Sequence, residues 1–180
     1  VGAAGAAGER FIAARAGVDA FAVDSIDDAL TLRTLFPSAL VITLGYTMLD
    51  RFKEALLANI HLTIYDRGGI EHAQAVGREL AKTFPIHLKV ETGTMRQGVA
   101  IDDLPDLTRL LRESDRVSLE GLSTHFANIE DSDDPEFAAH QFSLYEQARA
   151  ILTENGLTPQ WCHCACSAAI ILYPQTHKTL

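Results

Sequence analysis

The stretch IHLTIYDRGGIEHAQAVGRELAKTFPIHLKVE, residues 60–91, decides the fold. It opens on a β-branched run at 60–65, turns through polar and glycine residues, and carries apolar positions three and four apart over 70–84. It then returns to an extended apolar run at 87–91. A period of two, then of 3.6, then of two again reads as strand, helix, strand. Strands joined by a helical crossover lie parallel, because a hairpin turn is what antiparallel neighbours need. The same alternation extends outward in both directions. Strands are predicted at 20–23, 40–44, 119–125 and 161–166, and helices at 26–36, 48–59, 104–113 and 135–155. Ser25 with Asp28 three residues on, and Asp134 followed by Pro135, are helix N-terminal signals. Gly156 sits where a helix end wants a positive φ.

Six such units without a hairpin make a parallel sheet, and two architectures compete for it. A doubly wound sheet carries a glycine-rich phosphate turn after its first strand. The sole candidate, Gly2, Gly5 and Gly8, has the wrong spacing and no strand before it. A (β/α)8 TIM barrel needs roughly 250 residues, so six units in 180 residues suit an α/β partial TIM barrel truncated at both ends. Val1 in place of a methionine, and a last segment at 176–180 that stops without a terminator, read as an internal fragment. On this reading residues 1–180 form a single incomplete barrel domain.

Composition narrows the partners. With 47% hydrophobic residues the chain supports one packed core, but its longest apolar run, 168–173, falls far short of the roughly 20 residues of a membrane span. The net charge of −9, with no basic stripe, argues against nucleic acid and leaves small molecules as ligands. Cys162, Cys164 and Cys166 alternate along one strand and cannot bridge one another, so a reducing, cytoplasmic setting fits. His163 on the opposite face spoils a zinc reading of the same segment, and no metal is expected.

In a barrel, chemistry gathers at the carboxyl ends of the strands. The polar residues there are Asp24 and Ser25, Tyr46, Tyr65 and Asp66, then Glu91, Thr92 and Arg96, then Thr124 and His125, and finally Cys166 and Ser167. Lys89 lies inside a strand, two residues before Glu91 on the same face, where an unpaired ammonium needs a partner or a modification. His125 is a cofactor-packing aromatic, a general base, a metal ligand or a structural residue. Ser167 starts a helix directly after a strand, as either an N-cap or an anion site for a phosphate. The acidic residues at 130–136 form a solvated loop, and Phe137, Leu144, Tyr145, Ala148, Ile151 and Leu152 form the core face of the helix after it.

Three segments taken together resemble the alanine racemases, pyridoxal-phosphate (PLP) enzymes with a barrel domain followed by a β domain. Ile86-His-Leu-Lys-Val-Glu-Thr-Gly-Thr-Met-Arg-Gln-Gly98 is similar to the family's HLKxDTGMxRxG signature. Leu119-Glu-Gly-Leu-Ser-Thr-His-Phe-Ala-Asn128, with Phe137 and Gln141 behind it, resembles GxxTHFAxAD and FxxQ. His163-Cys-Ala-Cys-Ser167, with Pro174 and His177, resembles HxANSA and its proline segment.

The resemblance implies roles. Arg96 would bond the cofactor's phenolic oxygen near the substrate carboxylate, and Lys89 would carry a carbamate facing it, making these two the catalytic residues. His125 would pack on the pyridine ring, Leu44 would line the pocket, Ser167 would hold the phosphate, and His163 would orient the arginine that faces the pyridine nitrogen. The lysine that holds PLP covalently would lie just before Val1, that arginine just after Leu180, and the second-base tyrosine in the β domain. The fragment alone would then be inactive. The intact protein would be a cytoplasmic homodimer interconverting L- and D-alanine for the cell wall. Thr94 stands where the family has methionine and Cys166 where it has asparagine. Serine or another amino acid is therefore an alternative substrate, a noncatalytic PLP-binding barrel an alternative role, and a metal-dependent barrel hydrolase the rival from another class.

Overall fold

The computed structural model describes residues 17–129 and 135–179. Its elements run β1 (Ala20–Val23), α1 (Ile26–Leu35), β2 (Leu40–Thr43), a 3-10 turn (Leu49–Arg51) into α2 (Phe52–Leu57), β3 (His61–Ile64), α3 (Arg67–Glu79) and β4 (Phe84–Lys89). There follow a 3-10 turn (Ile101–Asp103) into α4 (Leu104–Glu113), β5 (Val117–Ser123), α5 (Pro135–Glu154), β6 (Trp161–His163), α6 (Ser167–Leu172) and a last 3-10 turn (Pro174–Thr176). All six strands are parallel and pair in chain order from β1 to β6. A doubly wound sheet reverses its order at a switch point. This one does not, and six consecutive βα units of a TIM barrel result. The glycines at 2, 5 and 8 and the Asp134 cap lie outside the described residues.

Every predicted strand is present, with two boundary corrections of physical interest. The helix expected at 70–84 runs three residues earlier, because Asp66 caps it by accepting the Gly69 N–H at 2.7 Å. It also ends at Glu79, and Ala81 turns the chain at φ 52. Phe84 therefore begins β4 rather than ending a helix. Pro85 is tolerated there because the Phe84 N–H donates to Arg116 of the β5 side, which turns the donorless Pro85 nitrogen toward β3, whose pairing begins at Ile86. The second correction is the 48–59 helix, which is a 3-10 turn followed by a shorter α2.

The two faces of the sheet differ. Val41, Leu62, Ile64, Ile86, Leu88 and Leu122 pack outward with Leu32, Phe52, Ile70, Leu104, Tyr145 and Leu152 of the helices in one apolar core. On α5, Tyr145, Ala148 and Leu152 are buried as expected, whereas Phe137 is 38% exposed and Gln141 is buried in its place. Register puts the other set on the inner face: Ile42 beside His61, Thr63 beside His87, Gly121 across from His87, Lys89 beside Ser123, and Ser123 beside His163. The inner face is thus polar and the outer apolar. Below it, at the amino ends of the strands, the Arg33 guanidinium donates to the carbonyls of Phe36, Pro37, Ala39, Ala58 and Asn59, tying the first three units together.

Candidate active site

The carboxyl ends of the strands open onto a cleft of about 420 Å³, inside the roughly 300–1,000 Å³ usual for small-molecule sites. Leu44, Lys89, Arg96, His125 and His163 line it together, with Asp24, Thr63 and Gln97. Ser167 does not line it. It is the first residue of α6 and exposed, and the N-cap is Cys166, which makes no side-chain capping bond. The serine hydroxyl is therefore not a cap, contrary to one of the two sequence readings.

The loop that carries Arg96 is built around one carboxylate. Glu91 accepts the N–H groups of Gly93 and Arg96 and, at 3.0 Å, the Thr94 hydroxyl. Gly98 closes the excursion at φ +146, where an added Cβ would lie 2.4 Å from the Glu91 nitrogen. Val99 then rejoins the strand, its N–H donating to Lys89 and its carbonyl accepting from Glu91, both at 2.9 Å. Thr92 and Thr124 bridge the β4 and β5 loops through their hydroxyls at 2.7 Å. Burial works to raise the Glu91 carboxyl, but the hydrogen bonds from Gly93, Met95, Thr94 and Arg96 outweigh it and hold the group below the ordinary glutamate range. A depressed carboxyl stabilises above its unfolded value, about 4.3, and loses that contribution as pH falls through its folded value. Hydrogen-exchange protection of the Gly93 and Arg96 amides is expected to fall in acid below about pH 4.3. The same acid step should vanish in Glu91→Gln. Protection that stays flat through the acid range in the native chain would show the carboxylate does not order the loop.

Lys89 is buried, and its ammonium donates to Gln97 Oε1 at 3.2 Å. Glu91, expected on the same face, turns instead to the loop amides, and no ion pair among the described residues includes Lys89. Burial lowers the lysine below its usual value, and the Arg96 charge pushes the same way. The partner is thus neutral, and the amine is biased toward its uncharged form.

His125 is exposed on the loop after β5. That loop is clamped from α5, where buried Gln141 accepts the Ala127 N–H at 2.8 Å and donates to the Ala127 carbonyl at 3.0 Å. His163 ends β6, and burial followed by the Lys89 charge lowers it to about 4. Its Nε2 meets His87 Nδ1 at 3.2 Å, and His87 Nε2 meets His61 Nδ1, also at 3.2 Å. Burial, with the two neighbouring rings, takes His87 down to about 2. Sequence reasoning missed His61, His87 and Thr63. Thr63 is 5% exposed and its Oγ1 has no hydrogen-bond partner among the described residues. The alternation of His87 with Lys89 was the one available signal, since strand residues two apart share a face.

Known proteins resemble this chain over nearly its whole length. Residues 3–180 match the family described as alanine racemase, N-terminal domain. The chain is 36% identical over 163 residues to alanine racemase 2 of Oceanobacillus iheyensis, covering 90% of this chain and 41% of that protein. An alanine racemase of Clostridium difficile 630, solved in complex with cycloserine, superposes with a TM-score of 0.89 at 24% identity over 97% of this chain and 48% of its own. A histidine racemase from Leuconostoc mesenteroides superposes with a TM-score of 0.83 at 25% identity over 95% of this chain and 45% of its own. The chain spans under half the length of the curated relatives it matches.

Proposed function

We propose, from the premise that the chain belongs to the alanine racemase N-terminal domain family, that the protein carrying it is a PLP-dependent racemase interconverting L- and D-alanine. The observation that supports this reading is the convergence of Leu44, Lys89, Arg96, His125 and His163 on one cleft. The donor set suits PLP. An exposed guanidinium at the rim matches an anionic oxygen, an imidazole matches an aromatic ring face, and the unpartnered Thr63 hydroxyl leaves a polar atom on the wall for a ligand or water. When bound, PLP supplies an electron sink that makes the α-hydrogen of an amino acid acidic.

The chain's own residues would bind and orient. Arg96, its backbone held by Glu91, would present its guanidinium to the cofactor's phenolic oxygen and the substrate carboxylate. His125 would cover the pyridine ring, Leu44 would keep water from one wall, and Ser167, outside the cleft lining at the start of α6, would donate to a phosphate that reaches past the cleft. His163 would orient the arginine facing the pyridine nitrogen. Lys89 in its uncharged form would add carbon dioxide through a new N–C bond, losing one amine proton to solvent, and the resulting carbamate anion would then attract Arg96 instead of repelling it. Residues 1–180 would be one incomplete PLP-binding barrel domain of a cytoplasmic homodimer that supplies D-alanine to the cell wall. No helix among the described residues is long and apolar enough to cross a membrane.

The phosphate contact gives the test. A charge-assisted hydrogen bond is worth roughly 1.5–3 kcal/mol, so Ser167→Ala should weaken PLP affinity about tenfold or more. Equilibrium titration followed by PLP absorbance measures it. Unchanged affinity would leave Ser167 outside the phosphate site. A different amino-acid substrate is the second reading, supported by the similarity to a histidine racemase and by Thr94 and Cys166 at positions that depart from the family pattern.

A further inference from the structure

Three imidazoles stand in file across the inner face of the barrel. His61 on β3 meets His87 on β4, and His87 meets His163 on β6, reaching over β5. The reach exists because β5 has Gly121 at the crossing, where an added Cβ would lie 2.1 Å from His87 Nδ1. A register shift between Ile86 and His87 sets Gly121 there and leaves Glu120 as an extra residue on β5. One end of the file, His163, lines the cleft, while His61 does not.

We propose that His61 is a positioning residue for this cleft, fixing through His87 which ring nitrogen of His163 carries the proton. A neutral imidazole has one N–H and one bare nitrogen. His87 faces His163 with Nδ1 and His61 with Nε2, so its single proton goes to one contact and its lone pair to the other. The choice at one contact therefore dictates the choice at the next. Only two arrangements satisfy both. In one, His163 Nε2 donates to His87 Nδ1 and His87 Nε2 donates to His61 Nδ1, leaving His163 Nδ1 bare. In the other every donor is reversed, and His163 Nδ1 carries hydrogen.

The surrounding charges select between them. Lys89 without a carbamate keeps positive character even though burial biases its amine toward the neutral form, and that charge acts on His163 at the cleft end, where it favours a lone pair. At the far end the Glu120 carboxylate favours positive character on His61, and Arg33 opposes it more weakly. Besides burial, the two other rings are what act on His87. All three rings are held below the ordinary histidine value, with burial as the first cause in each, so they are neutral near pH 7. The protons therefore point from cleft to floor, and His163 presents a bare Nδ1. The ring assignment stands on geometry and charge. Its use, accepting a hydrogen bond from a cationic donor in the cleft, rests on the proposed function.

Nuclear magnetic resonance of the protein carrying this chain, with isotopically labelled histidine nitrogens and buffer freed of carbon dioxide, tests the proposal. Bare and protonated ring nitrogens resonate far apart. The expected native spectrum has bare Nδ1 and protonated Nε2 on both His87 and His163, with a scalar coupling across the bond between them. In His61→Leu the His87 Nε2 proton loses its acceptor, and a buried N–H without a partner is tolerated less readily than a buried acceptor without one. Both rings should then exchange their bare and protonated nitrogens. A merely structural role for His61 would leave that pattern alone. The proposal is overturned by a protonated His163 Nδ1 in the native protein, by absence of the coupling, or by an unchanged His163 in His61→Leu. If that variant does not fold, the native spectrum decides by the first two criteria. PLP absorbance of the same samples reports separately on the racemase reading, which can fail while the tautomer pattern holds.

Discussion

Gly121→Ala is expected to destabilise the protein by about 3 kcal/mol, the upper end of the usual range for overpacking. The added methyl would lie 2.1 Å from His87 Nδ1 and 2.5 Å from Cγ and Cε1 of the same ring. Relief would require His87 to move, yet the ring is fully buried and bonded on both sides. Its displacement would break two hydrogen bonds and press into β3 or β6. The alternative, a shift of β5, would disturb pairing on both edges of that strand, which is bonded to β4 and β6. Urea unfolding should show a lower midpoint with the slope little changed, since the area exposed on unfolding is nearly the same. A midpoint within error of the native one would mean that the His87 ring has another place to go.

On the proposed racemase reading, Arg96→Ala in the PLP-loaded protein that carries this chain should lower the turnover of L-alanine by roughly ten- to a hundredfold, the effect of one charge-assisted hydrogen bond of about 1.5–3 kcal/mol. Stability should hardly change. The side chain is exposed and enters no ion pair among the described residues, while the bond to Glu91 is made by the backbone N–H, which alanine keeps. Arg96→Lys retains the charge but not the planar fork of donors, so it should recover only part of the loss. Steady-state racemisation followed by circular dichroism measures all three proteins. Full turnover in Arg96→Ala would remove the guanidinium from the site.

The strands were legible because a parallel sheet is covered on both faces, which turns Leu40–Thr43 and His61–Ile64 into compact β-branched runs between turn residues. The start of β4 was not. Ile70, Ala73, Val76, Leu80 and Phe84 continue a helical spacing without a break, and the left-handed residue that ends the helix is Ala81, where no glycine marks the turn. The Phe137 reading failed for a related reason, since helical period cannot distinguish a residue facing the core from one at the edge of the buried stripe.

The cleft was half legible. Arg96 and His125 lie in the loops after β4 and β5, so strand ends placed them, whereas Leu44, which directly follows β2, was placed only by the family resemblance. The file of histidines depends on cross-strand register, and register here turns on the extra residue Glu120, which single-chain periodicity does not show. The partner of Lys89 was hidden likewise. Gln97 returns to it only because the loop folds back on the Glu91 carboxylate.

The strict chain order of the strands also bears on how the protein is made. Each strand pairs with the one synthesised just before it, across intervals of about 20 residues from Ala20 to Leu40 and about 40 from Gly121 to Trp161. Loop closure over such distances differs little in entropy, and a chain of near-neighbour contacts favours rapid formation. Among the described strands, each from β2 to β6 thus finds its docking edge already standing as it emerges from the ribosome. The longest wait falls on β5, whose free row of backbone donors and acceptors stays uncovered while α5 is being translated. That interval is when nascent chains are most open to pairing with one another.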